Sequence, residues 1–222
     1  MKTYSAKTPP HLITLIILTS TSVLAMNMFL PSLTNMAAEF SVSYSVMNIS
    51  VAGYLAITAV LQVILGPLSD RFGRRPVLLG SILIFSLASL FCALSSNIWI
   101  FLSLRILQGA IISGMALSRA IVRDMMAPKD AVRVLGTIAM AMAVAPMLGP
   151  ILGGVFDEIF GWRAIFWFYL GLGLFLLLLT WTDLGETNIN TSATFRKQFS
   201  TYPDLLRSGL FWGYSICLSF GI

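Results

Sequence analysis

Two groups of polar residues interrupt an otherwise apolar chain, and their types and spacing could do chemistry. The first is Arg105-Ile106-Leu107-Gln108-Gly109. Arg105 is the one formally charged side chain deep within a long apolar run, about 10 Å from the run's nearer end at the helical rise per residue. An arginine at the centre of a membrane helix costs about 2.5–3.5 kcal/mol, and such residues usually face a bundle interior or a watery cavity. Gln108 and Gly109 follow three and four positions on, so a guanidinium, an amide and a bare backbone share one helix face and could shape a polar cavity. The alternative is that Arg105 snorkels to the headgroups at the nearer membrane surface.

The second group is the turn Gly66-Pro67-Leu68-Ser69-Asp70-Arg71-Phe72-Gly73-Arg74-Arg75-Pro76. Asp70 stands where a helix ends, its carboxylate facing the partial negative charge of that terminus, a mismatch of roughly 0.3–1 kcal/mol. Arg71, Arg74 and Arg75 suit such an end. Asp70 therefore calls for a partner elsewhere, either an arginine or the N-terminus of another helix. Gly73 lets the backbone turn at low cost, and Pro76 suits the first turn of the following helix. A plain basic anchor between two membrane spans would need the arginines but neither the acid nor the glycine spacing.

These groups are carried by a chain of 222 residues that is 57% hydrophobic and 10% charged. With a mean hydropathy of +0.87 it has too little polar surface for a soluble globule, and reads as a polytopic, all-α membrane protein. Cys92 and Cys217 both lie in apolar runs, and the single histidine, His11, stands beside Pro9 and Pro10, so no disulfide framework, metal site or cofactor is indicated. The net charge of +5 is explained by topology, and nucleic acid is not an expected partner.

Measured against the roughly 20 residues that cross a bilayer core, the apolar runs predict six spans near 12–38, 44–68, 76–95, 98–124, 130–157 and 162–182. Pro31 is expected to kink the first, and Ser43 or Ser45 to cap the second. The chain divides into a six-span unit over 1–183, a polar linker over 184–207, and a seventh apolar run over 208–222. That last run holds fifteen residues, short of a crossing, and the chain therefore reads as the front half of a longer protein. Twelve of the fourteen lysines and arginines fall on one side: Lys2, Lys7, Arg71, Arg74, Arg75, Arg119, Arg123, Lys129, Arg133, Arg196, Lys197 and Arg207. The opposite loops hold Arg163 alone. By the positive-inside rule the N-terminus and the linker are cytoplasmic, and the expected location is the cell's inner (plasma) membrane.

The charged turn resembles the loop motif Gly-x-Leu-Ala-Asp-Arg-x-Gly-Arg-Arg/Lys that joins the second and third spans in the major facilitator superfamily. Arg105-x-x-Gln108-Gly109 looks like that family's fourth-helix motif, associated there with proton coupling. Arg119-Ala120-Ile121-Val122-Arg123-Asp124 is similar to its Arg-x-x-x-Arg-Asp. There the acid joins the loop arginine in a charge network that helps hold the outward-open state, at positions matching Asp124 and Arg74; a solvated helix end would also explain these charges. Ala145-Pro146-Met147-Leu148-Gly149-Pro150-Ile151-Leu152-Gly153-Gly154 resembles the antiporter motif of drug:proton exchangers. Physically, Gly149 and Gly153 form a small-residue face that lets a neighbouring helix approach, while Pro146 and Pro150 weaken the hydrogen-bond ladder. Ala25-Met26-Asn27-Met28-Phe29-Leu30-Pro31 resembles the Asp-Met-Tyr-Leu-Pro run of bicyclomycin and chloramphenicol resistance-type exporters, with Asn27 in the acid's place. An amide hydrogen-bonds but does not exchange a proton near neutral pH.

The resemblance implies a six-helix half-bundle of two inverted three-helix repeats plus the start of a seventh span, working by alternating access. It implies a non-enzymatic exporter of a small hydrophobic or amphipathic substrate, with protons as coupling ion, embedded in a lipid bilayer and completed by a missing C-terminal half. Met26, Met28, Phe29, Tyr54 and Gln62 are candidates to line the cavity, since methionine and aromatic side chains suit adaptable recognition. The alternatives are a solute importer or uniporter of the same fold, and a truncated product that inserts without transporting. The charge bias has a direct test. In a background lacking Cys92 and Cys217, a cysteine at Ser96 is expected to react with an impermeant thiol reagent added outside the cell, and one at Ser69 is not; the reverse pattern would invert the topology.

Overall fold

The computed structural model describes residues 10–188, 208, 209 and 211–213. Six helical spans are long and apolar enough to cross a membrane, at 12–39, 44–72, 74–94, 98–125, 128–160 and 163–183. Their ends fall within a few residues of the six apolar runs, because a chain in lipid must satisfy its backbone internally and stays helical until water is reached. Most of the linker and of the seventh apolar run lies outside the described residues.

The first span is broken, as Pro31 requires. Helix α1 (Leu12–Asn27) ends, a 3-10 turn follows over Leu30–Ser32 with Pro31 in its first positions, and α2 (Leu33–Glu39) completes the crossing. Ser43 caps α3 (Tyr44–Phe72), accepting from the Val46 amide at 3.4 Å. Gly73, at φ +97°, separates α3 from α4 (Arg74–Leu94). The fourth span is α5 (Ile98–Gln108), a 3-10 turn over Gly109–Ile111 and α6 (Ile112–Met125); its start is capped by Asn97 Oδ1, which accepts from the amides of Trp99 and Ile100. Pro128 opens α7 (Pro128–Phe160), which continues through Pro146 and Pro150, and α8 (Arg163–Asp183) closes the bundle.

Hydroxyls within the spans mostly turn onto their own helices: Thr19, Thr21, Ser86 and Ser89 each donate to a carbonyl four residues back, which hides polar groups from lipid. Ser22 also crosses to the Ile111 carbonyl at 2.7 Å, tying α1 to the turn of the fourth span. The most extensive helix contact is α4 on α8, where the Phe85 and Tyr169 rings lie 5.9 Å apart. At one end of the bundle Glu39 accepts from Trp162 Nε1 at 2.5 Å and from Arg163, whose other nitrogen donates to the Ser95 carbonyl. Phe40, Phe101, Trp162 and Phe166 pack ring against ring beneath these polar groups. At the other end Asp183 accepts from the His11 amide and from the Thr14 hydroxyl, so the start of α1 meets the end of α8. Only 22% of the most apolar stretch of α3, and the same share of α7, is buried, against 56% for α4, so α3 and α7 carry the long exposed faces.

The α4–α8 contact depends on a missing side chain. A Cβ at Gly173 would stand 2.3 Å from Ser86 Oγ and 3.2 Å from the Phe85 ring, whereas one at Gly171 would meet nothing within 4 Å. Gly173→Ala is expected to destabilise the protein by about 1–3 kcal/mol, the usual range for overpacking a fitted interface. Gly171→Ala should leave the melting temperature in detergent where it was, and equal effects at the two positions would count against this packing.

Candidate functional site

The centre of the bundle is organised on Arg105, which has no exposed surface. It faces inward rather than snorkelling. Its Nη1 donates to Gln108 Oε1 at 2.5 Å and its Nη2 to the Ala25 carbonyl at 3.2 Å. Gln108 in turn donates to Ser89 Oγ at 2.7 Å. The guanidinium carbon lies 4.0 Å from the Phe29 ring centre, 4.6 Å from that of Tyr54 and 5.9 Å from that of Phe166. A desolvated cation over a ring gains up to about 2 kcal/mol, comparable to the cost of placing an arginine mid-membrane. Arg105 forms no ion pair among the described residues. Its Nε and the Tyr54 hydroxyl are buried with no hydrogen-bond partner. The chemistry on offer is a desolvated cation edged by aromatic faces, with donor capacity to spare.

The break in the first span brings the neighbouring groups into place. Met28 and Phe29 are fully buried, Met26 and Asn27 partly so. Gly149 packs on this break, where an added Cβ would lie 3.3 Å from Asn27 Cβ, and one at Gly153 would fall 1.6 Å from the Met28 carbonyl oxygen. The small-residue face of α7 is thus seated against the backbone of α1. Asn27 donates to the Val23 carbonyl at 2.9 Å, within its own helix, and has no hydrogen bond to Arg105 among the described residues. Gly109 sits against α3, since a Cβ there would lie 2.6 Å from Ile57 Cγ2. Pro146 is exposed, Pro150 and Gly154 are half-buried, and Gly154 has open space where a Cβ would go. Gln62 is exposed on α3, two helical turns beyond Tyr54, and does not join the central cluster.

At the end where α3 meets α4, Arg74 holds three groups together. Its Nη2 pairs with Asp70 Oδ1 at 2.7 Å, its Nε with Asp124 Oδ2 at 3.2 Å, and its Nη1 donates to Ser69 Oγ. Arg74 is 6% exposed. Asp70 is thus paired with an arginine four residues on, across the Gly73 break. Arg75 donates to the Trp181 carbonyl at 2.8 Å and lies over the Trp181 indole, joining α4 to the end of α8. Arg71 stands over Phe72, Gly66 is half-buried within α3, and Arg123 is exposed in the last turn of α6 with no ion pair among the described residues. Two residues that sequence reasoning did not single out complete this end. Glu186 Oε1 accepts from the Arg74 amide at 2.9 Å and Oε2 from the Arg75 amide at 3.3 Å, while Asn188 Nδ2 donates to the Asp70 carbonyl at 2.8 Å. No local spacing pointed to either. Ser89, Ala25 and Phe166 were missed at the centre for the same reason, since each comes from a different helix.

A family model described as "Major Facilitator Superfamily" matches residues 15–222. The chain is 37% identical over 202 residues to a "Chloramphenicol resistance protein" of Pseudomonas aeruginosa, covering 90% of this chain and 48% of that protein. It is 30% identical over 162 residues to "Multidrug resistance protein D" of Escherichia coli, covering 72% of this chain and 41% of the relative. The chain thus spans about half the length of the curated relatives it matches. Among solved structures, a peptide transporter bound to sulfate superposes with a TM-score of 0.71 at 16% identity, over 95% of this chain and 46% of the other. The human organic anion transporter MFSD10 does so with a TM-score of 0.63 at 22% identity, over 79% of this chain and 47% of that one. These structural likenesses concern the fold.

The planar fork of Arg105 reaches Gln108 and Ala25 at once while its face meets two rings. A lysine keeps the charge but not the fork. Arg105→Lys is expected to cost about 1–3 kcal/mol of stability through the broken charged hydrogen bonds, read as a lower melting temperature in detergent. A wild-type melting temperature would mean that the fork holds nothing.

Proposed function

The chain belongs to the Major Facilitator Superfamily, and from that premise we propose that its six-helix unit is one side of a small-molecule exporter of antiporter type. It is a multi-pass membrane protein of a transporter family. The observation that carries the mechanistic reading is the Asp70–Arg74–Asp124 cluster, which ties α3, α4 and α6 together at one end of the bundle. Both carboxylates are partly exposed while Arg74 is buried, so water can take over the carboxylate side of each pair when it separates, and a cluster of this kind suits a gate that opens and closes once per cycle. The proposed substrate site adjoins the centre formed by Arg105, Gln108, Phe29 and Tyr54, which is buried in this structure and would meet a substrate only when the helices around it part. A second bundle of similar size, consistent with relatives about twice as long, would close the other wall, and the exposed faces of α3 and α7 are available to it. The seat of Gly149 and Gly153 on the first-span break lets α7 and α1 move as one body. With the lysine and arginine bias, the Asp70 end and the N-terminus are assigned to the cytoplasm and the protein to the inner membrane.

The names of the relatives point to chloramphenicol-like and other hydrophobic drugs as the substrate class. Protons are the proposed coupling ion. Glu39, Asp157 and Glu158 lie at one end of the described bundle, Asp70, Asp124, Asp130, Asp183 and Glu186 at the other, and none lies mid-span. Asn27 is an amide, with no titrating group to offer. The proton-carrying acid is therefore assigned to a part of the transporter other than the described six-helix unit.

The experiment is accumulation of chloramphenicol in cells lacking their own exporters. Cells expressing the full reading frame are expected to accumulate less drug than controls, and Arg105→Ala and Asp124→Asn, each present in the membrane at wild-type level, should reduce efflux about tenfold or more. Increased accumulation would establish an importer instead. Proton release on drug binding that disappears when one described carboxylate is neutralised, while drug still binds, would overturn the placement of the proton carrier.

A further inference from the structure

The α3–α4 turn is held from both sides by residues that follow the sixth span. Helix α4 begins at Arg74 with Gly73 as its cap, and Gly73 has no side chain with which to satisfy the first amides. Glu186 does so from 112 residues downstream, one carboxylate oxygen taking the Arg74 amide and the other the Arg75 amide. A carboxylate suits that position, where the helix dipole is positive. On the α3 side of the same turn Asn188 Nδ2 donates to the Asp70 carbonyl at 2.8 Å and lies 3.4 Å from that of Ser69, while its own amide donates to Glu186 Oε1. The fit leaves no room for a side chain: a Cβ on Gly73 would fall 2.3 Å from Glu186 Oε2. Glu186 and Thr187 are each 8% exposed.

Arg74 is the shared member. Its backbone amide is bound by Glu186, and its guanidinium is bound by Asp70, Asp124 and Ser69. We propose that Glu186 is a positioning residue of the cytoplasmic gate: by fixing the first turn of α4 it aims Arg74 at both carboxylates. Asn188 clamps the other side, so the first residues of the linker are a working part of the gate. Linkage makes the effect reciprocal, because whatever loosens the grip of Asp70 and Asp124 on Arg74 also loosens the segment 184–188. The functional meaning rests on the gate reading given above, but the physical coupling does not depend on any substrate.

The test uses Thr187, which touches neither carboxylate of the gate in any contact described. Thr187→Cys, in the full-length protein with Cys92 and Cys217 replaced by serine, is labelled with an impermeant maleimide in permeabilised membranes. Glu186→Ala should raise the labelling rate whether Glu186 is a plain helix cap or a positioning residue, and Glu186→Gln, which keeps one acceptor, should raise it less. The deciding variant is Asp124→Asn, expected to raise labelling of Thr187→Cys about fivefold through Arg74. Asp70→Asn replaces it if Asp124→Asn fails to reach the membrane. Labelling that stays at the wild-type rate in the gate variant, while Glu186→Ala speeds it, would reduce Glu186 to a cap and overturn the proposal. The assay contains no drug, so a failed efflux experiment and a failed coupling experiment are separate results.

Discussion

A guanidinium held in a bundle without exposed surface, and without an ion pair among the described residues, sets the terms for everything around it. A buried cation must be met by dipoles and ring faces in the right places, and the surrounding helices supply them. The broken first span supplies the Ala25 carbonyl and the Phe29 ring, α3 supplies Tyr54, α8 supplies Phe166, and α4 reaches it through Ser89 and Gln108. The kink at Pro31 is then more than a local consequence of a missing amide, because it lets Phe29 lie over the cation. Gly149 and Gly153 brace that kink from behind. Three spans meet this charge directly, α4 reaches it through Gln108, and α7 answers to the shape of the first-span break.

The two ends of the bundle obey a different rule. Charges there are partly wetted: Glu39 and Arg163 are 46% and 35% exposed in their side chains, and Asp70 is 37% exposed. Such pairs add little stability, so the bundle is held by its apolar middle and by close helix contacts. What the end groups determine is which element is attached to which. At one end Glu39, Trp162, Arg163 and Ser95 join three loops; at the other, Arg74 and Glu186 join α3, α4, α6 and the beginning of the linker.

Much of this was legible in the sequence wherever the physics is local. Run length located the spans because lipid leaves helix as the economical way to satisfy a backbone, and Pro31 and Ser43 act within a turn of themselves. The inward direction of Arg105 followed from the cost of the alternatives. Position 27 could be read as an amide, but not that it would turn back to Val23. Asp70 was read as needing a partner, an arginine or the N-terminus of another helix; the structure pairs it with Arg74, which a helix-dipole argument does not single out, because it describes a helix end and says nothing about a pair facing each other across a glycine break. Gln62 is exposed on α3 and stands apart from the Arg105 cluster, and a single apolar helix does not reveal which of its faces is covered. Glu186 and Asn188 left no signal, since their partners stand more than a hundred positions earlier in the chain.

The junction of the first and last described spans has a consequence for how the molecule is made. His11 and Asp183 are 172 residues apart, and Thr14 reaches the same carboxylate. A ribosome adding about 5–20 residues per second needs roughly ten to thirty seconds to bridge that gap. During that interval α1 is already in the bilayer with the Thr14 hydroxyl and the Ala25 carbonyl waiting for partners, and Arg105 emerges before Phe166 exists to cover it. The first span must therefore be held in a provisional arrangement, by the insertion machinery or by lipid, until the sixth arrives. Closure of the bundle is an event of late synthesis, and a defect in α8 would be felt first as a failure to retain α1.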